Sequence, residues 1–166
     1  MKKYCLLLMF FLFLLSGCSG NEMSVNNPYE VAKGNSILSY YDTEDNISID
    51  GFQVLDCEPE NIIGIRAQNE NRIFVDEGRI RCIYIVDEDI VTYNQISVGD
   101  SIDKIKNTYS QISQYEDEYI VIFDNEKEVP IYQKGEDTWI NIMYYTDEEK
   151  ITAIVIYDGH YARYGY

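Results

Sequence analysis

The chain predicts an α+β fold: an antiparallel β-meander sheet with one main amphipathic helix packed on it. Two observations carry this. Short runs rich in Ile, Val and Tyr are separated by acidic or glycine-bearing turns, such as Asp76-Glu77-Gly78 and Asp147-Glu148-Glu149. Turns so closely spaced favour hairpin connections, hence antiparallel strands. One segment carries a clear helical period: Ile102, Ile105 and Tyr109 fall at i, i+3 and i+7 and share a face.

The elements follow in order. Pro28 to Lys33 reads as a short helix, with Pro at an early position and Gly34 ending it. Asp42 to Asn46 is an acidic turn. An EF-hand loop needs Gly at its sixth position and Ile47 stands there, so a solvated turn is the better reading. Ile47, Ile49, Phe52, Val54 and Leu55 form one strand with a kink at Gly51. Ile62 to Arg66 is a second strand. Asn69-Glu70-Asn71 is a hairpin turn into Arg72–Val75, and Asp76-Glu77-Gly78 turns into Arg79–Val86.

Gly99 then permits a sharp turn, and Asp100 or Ser101 can accept bonds from the first free N–H groups of the helix expected over about residues 101–110. Asp103 suits its positive end. Tyr119–Phe123 is the next strand, closed by an Asp124-Asn125 turn. Trp139, Ile140, Ile142 and Tyr144 lie on another strand, and Ile151–Tyr157 completes a hairpin with it. Asp158 to Tyr166 reads as a terminal tail around the only histidine, His160.

Two stretches echo one another without a gap. Asp76 through Tyr93 and Asp147 through Tyr164 share Asp76/Asp147, Glu77/Glu148, Ile80/Ile151, Ile83/Ile154, Ile85/Ile156, Asp87/Asp158 and Tyr93/Tyr164. Both read as acidic turn, strand, acidic exit, tyrosine. Duplication into two related β units, 37–93 and 94–166, explains this, as does convergence of two hairpins on one solution.

The first residues have a different character. Lys2 and Lys3 precede an apolar run from Leu6 to Leu15, and Leu15-Ser16-Gly17-Cys18 follows. Positive start, short apolar core and small residues make an export signal. The run is roughly ten residues, half of the ~20 a spanning helix needs. Leu-Ser-Gly-Cys resembles the lipobox of bacterial lipoproteins. The resemblance implies a signal peptide over 1–17 and a diacylglyceryl group on Cys18, which becomes the first residue. Ser19 to Asn27 is polar and without a period, so 18–27 reads as a flexible tether, and the length that remains suits a single domain over 28–166. The domain would then work outside the cytoplasm, tethered to the cell membrane. In a cell with an outer membrane, Ser19 rather than Asp after Cys18 favours sorting there by the family's rule.

Charge narrows the partners. The chain carries 13 basic and 29 acidic residues, net −16, and loss of Lys2 and Lys3 would make it more acidic still. Such a surface repels nucleic acid and anionic headgroups and excludes DNA or RNA binding. It suits a cationic partner, or serves solubility alone. The chain has 16 tyrosines, whose apolar body and polar tip suit half-exposed sheet faces and interfaces. Tyr84, Trp139, Tyr144 and Tyr157 are the candidate partner-binding aromatics on a sheet face rimmed by acid; core packing beneath the helix is the other reading of each.

Of the four cysteines, Cys5 would leave with the signal and Cys18 would carry lipid. Cys57 and Cys82 form either a disulfide, whose loop of about 26 residues would contribute roughly 3 kcal/mol, or two separate thiols. With one distant histidine they make a poor zinc site, and no metal or cofactor is expected.

No catalytic set is legible. His160 has no serine in a nucleophile-elbow setting, and a histidine on a flexible tail is the simpler reading. Glu116-Asp117-Glu118 and Asp87-Glu88-Asp89 are runs of adjacent acids, which suit solvated turns rather than two carboxyls held across a cleft. No Gly-rich phosphate cradle occurs.

Gly99-Asp100-Ser101 opening an amphipathic helix, with Lys150-Ile151-x-x-Ile154-x-Ile156 later, resembles the β-lactamase-inhibitor-protein-like and BamE/SmpA-like small envelope lipoproteins. The resemblance covers about Tyr93 to Tyr166. The family's usual Gly after the helix tyrosine is replaced by Ser110. It implies helices on one face of an antiparallel sheet and action by binding an envelope protein, with no catalytic residues. Binding of a small ligand or a wall polymer on a Tyr/Trp platform is the alternative.

Overall fold

In the computed structural model, the structure describes residues 24–62, 65, 69–124, 126–130 and 139–164. The lipobox and Cys18 lie outside the described residues. The described chain is mostly β. Eleven strands run in order: β1 Glu30–Lys33, β2 Ser36–Ser39, β3 Phe52–Asp56, β4 Asn71–Asp76, β5 Arg79–Ile85, β6 Ile90–Val91, β7 Ile112–Tyr115, β8 Glu118–Asp124, β9 Lys127–Val129, β10 Ile140–Asp147 and β11 Lys150–Asp158. Three α-helices accompany them among the described residues: α1 Pro59–Ile62, α2 Ile102–Thr108 and α3 Gly159–Tyr164.

The main sheet has eight strands in the order β3-β4-β5-β11-β10-β8-β7, with β9 also paired to β8. A smaller sheet of three strands runs β2-β1-β6. All pairings are antiparallel except β3 with β4. That parallel pair corrects the expected hairpin at Asn69–Asn71. Parallel neighbours cannot be joined by a tight turn; here the connection contains α1, whose first residue Pro59 needs no N–H partner. Ile62, expected in a strand, ends that helix. Ile47 and Ile49 lie outside the strand expected to contain them, since β3 begins at Phe52, after Gly51 takes a φ of 86°.

The segment expected as a short helix, Pro28 to Lys33, is instead a turn followed by the strand Glu30–Lys33. Gly34, read as a helix end, turns the chain between β1 and β2 with a φ of 59°. The docked part of the chain also starts earlier than expected: Val25, placed in the tether, is buried.

Strand alternation splits the sheet into two faces. On the first, Ile83, Ile85, Ile142, Tyr144, Ile154 and Ile156 pack beneath the small sheet and α2, through Val31, Leu38 and Ile105. On the second, Cys82, Tyr84, Met143, Tyr145 and Val155 lie beneath α1 and α3, through Ile62 and Tyr161.

The two echoing hairpins share one register. Ile73 pairs with Ile83 and Phe74 with Cys82; Tyr144 pairs with Ile154 and Tyr145 with Ala153. Each then skips one residue, Arg81 in β5 and Thr152 in β11, which occupy the same place in the echo. These β-bulges bend each strand locally. β5 and β11 meet at the sheet centre, where Tyr84 faces Val155, its own counterpart in the echo.

The expected helix forms over Ile102–Thr108. Ser101 Oγ accepts from Asp103 N at 3.2 Å, and Tyr109 N closes the far end on Ile105 O at 3.1 Å. Gly99 N donates to Ile151 O, Ile102 N to Glu149 O and Ile151 N to Asp100 O. The helix start is thus tied to the β10–β11 turn.

Candidate functional site

At the end of the sheet where β10 leaves and β11 begins, the second face is open. β7 and β8 are joined there by Glu116-Asp117, and β10 and β11 by Glu148-Glu149. Glu116 and Glu148 both hold positive φ, 49° and 56°, which the tight turns require. Thr146 fastens one turn to the other, because its N and Oγ1 both donate to Asp117 O at 2.9 Å. The bulge residue Thr152 donates from Oγ1 to Tyr145 O at 3.3 Å.

Between these turns lies an open groove of about 770 Å³. Its floor includes Tyr84, Tyr145 and Ala153, all of the second-face cluster. Tyr145 is held from below by its hydroxyl, which donates to Ile65 O at 2.6 Å. Glu116, Asp117, Asp147 and Glu148 stand around the groove, and among the described residues no Lys or Arg lines it. Among the described residues no three His, Cys, Asp or Glu side chains gather tightly enough to hold a metal ion. The carboxylates instead spread along a rim. The groove therefore offers an aromatic floor with an extended negative edge, a shape for a cationic side chain on an apolar stem.

The four aromatics expected to share one exposed face do not. Tyr144 points to the opposite face, in the main core, where its hydroxyl lies 2.7 Å from that of Tyr109. Burial pushes its phenol well above the usual tyrosine range. Trp139 is buried, with its ring 5.7 Å from that of His160. Tyr157 is half-buried on the second face, and burial raises its phenol to about 12. Tyr84 alone meets the groove, as part of its floor and only 1% exposed. The physical reason is the period of two: Tyr84 and Tyr157 share a face, and Tyr144 has the opposite parity relative to them across the paired strands.

Sequence reasoning missed Tyr145 as a groove residue and saw the groove's acids only as separate turns. What joins them is the β8–β10 pairing of Glu118 with Tyr145, which brings the two turns to one end of the sheet.

His160 is not on a loose tail. Asp158 Oδ1 accepts from His160 N and Tyr161 N at 2.9 Å each, capping α3, and Tyr161 is buried against the second face. Cys57 and Cys82 stand in that same cluster as free thiols.

No family model, no curated protein and no solved structure matches the chain. Among the described residues no helix is long and apolar enough to cross a membrane.

Proposed function

We propose that this is an exported lipoprotein, anchored through Cys18, whose domain binds a basic segment of a cell-envelope protein in the acidic groove. The groove carries the reading: four carboxylates and, among the described residues, no cation around a tyrosine floor. Aromatic floors with polar rims are what interface cores use, and a one-signed rim steers an oppositely charged partner. The lipobox resemblance supports the anchor. The resemblance to the β-lactamase-inhibitor-protein-like and BamE/SmpA-like lipoproteins supports binding rather than catalysis. The shared register of the two hairpins supports descent from two related β units.

The test is crosslinking of the anchored protein in living cells, with partners identified by mass spectrometry. Controls carry Cys18→Ser, which removes the anchor, or Asp117→Lys with Glu148→Lys, which reverses the rim. One dominant protein with a basic surface, lost in both controls, is the expected result. A partner retained by the charge-reversed variant would overturn the groove as its site; no partner in any condition would overturn protein binding.

A further inference from the structure

A second cavity, of about 380 Å³, lies at the opposite end of the central strands, where β5 and β10 begin and β11 ends. It is independent of the acidic groove. Ile80 and Ile140 contribute apolar surface to it and are buried. One wall is tyrosine: the Tyr41 ring meets those of Tyr29 and Tyr40 edge-on, at 5.1 and 5.6 Å.

The polar groups there are unequal in what they leave unused. Asp158 spends both oxygens internally: Oδ1 caps α3, and Oδ2 accepts from the Tyr40 hydroxyl at 3.2 Å and faces Arg81. Asp42 Oδ2 accepts from Ser39 N at 2.8 Å. The guanidinium side is only partly used: Arg81 stacks over the Tyr161 ring, 4.4 Å from its centroid, which leaves its N–H edge. Arg81 reaches Asp158 only at 3.5 Å and Asp76 only at 3.7 Å, beyond the ~2.7–2.9 Å of a direct charge-assisted bond. Its buried Nε has no hydrogen-bond partner among the described residues. Arg79, which also lines the cavity, joins no ion pair among the described residues. Beside two carboxylates, Asp42 and Asp158, the lining thus keeps guanidinium N–H groups that no described acceptor takes at hydrogen-bond distance.

We infer that this cavity binds a small organic carboxylate with a flat or ring-shaped body, its carboxylate on the Arg79 and Arg81 guanidiniums and its ring against the tyrosine wall. A guanidinium fork matches a carboxylate in plane and charge. The volume falls within the ~300–1,000 Å³ of small-molecule sites. An aromatic acid and a sugar acid both have this chemistry.

Calorimetric titration of the mature protein in detergent micelles tests it, with benzoate, glucuronate and benzylamine as probes and empty micelles as blank. Saturable binding of benzoate, glucuronate or both, with none of benzylamine, is expected. Benzoate alone assigns an aromatic acid, and glucuronate alone a sugar acid. Arg79→Gln should weaken binding about tenfold, as loss of one charge-assisted bond does, and Tyr41→Ala should weaken it as well. Absence of saturation by either acid, equal binding of benzylamine, or unchanged affinity in both variants would overturn the assignment.

Discussion

Cys57 and Cys82 show how position rather than residue type sets reactivity. Cys82 is fully buried in β5, and burial holds its thiol well above the usual range. Burial, with the nearby Asp76 carboxylate, raises Cys57 to about 11. The thiolate is the reactive form, so at neutral pH both are inert. A thiol-specific dye should label neither Cys57 nor Cys82 under native conditions and both in denaturant. Absence of label in denaturant without reductant would show that the two are joined instead. Asn71 is the polar counterpart. Buried where β4 begins, it donates to Gly51 O and Asp87 Oδ2 and accepts from Val86 N and Asp87 N, filling all four of its sites.

At the level of elements, α2 depends on its cap. It has only seven residues, too few to persist by propensity alone. Ser101→Ala should cost about 1 kcal/mol, measured as a lower denaturant midpoint with unchanged slope. An unchanged midpoint would mean that the ties from Gly99 and Ile102 to the β10–β11 turn hold the helix without the cap. This helix was legible because cap, period and glycine turn are all local signals. The β4–β5 and β10–β11 hairpins were legible for the same reason. Other elements were set by distant partners. β1 and β2 have four residues each, too short for a period to show, and Pro28 and Gly34 imitate helix ends. β3 is a half-exposed edge strand whose parallel partner lies beyond an intervening helix. Asp158-Gly159-His160 looked like a terminal turn. A Cβ at Gly159 would collide with the Trp139 indole and the Asn141 amide, a constraint from β10 that the local sequence does not display. The groove was half legible, since its acids stood out as turns but their meeting depends on the β8–β10 pairing.

At the scale of the molecule, the tyrosines set a limit in base. Tyr29 and Tyr157 are raised by burial to about 12, and Tyr40, Tyr109, Tyr144 and Tyr161 are also raised, burial again first. An unfolded tyrosine ionises near 10. Above that pH the unfolded state has lost protons the native state keeps. The stabilisation is therefore complete below pH ~10 and is lost as pH rises through the folded values. Each fully buried phenol should remove about 1.4 kcal/mol per pH unit in that window. Denaturant midpoints should be flat from pH 7 to 9 and fall steeply from 10 to 12; a midpoint unchanged across that window would show that these phenols ionise freely in the native state.

The meeting of Tyr84 with Val155 at the centre of the sheet has a consequence for solitude. Two hairpins of equal register joined about that pair form the arrangement by which two separate chains would close a continuous sheet. Here one polypeptide supplies both, so the isoleucine-rich flanks of β5 and β11 are sealed in cis. A half-chain would present such a flank as an open seam, an invitation to every like copy nearby. A single chain that supplies both hairpins leaves no such seam between them.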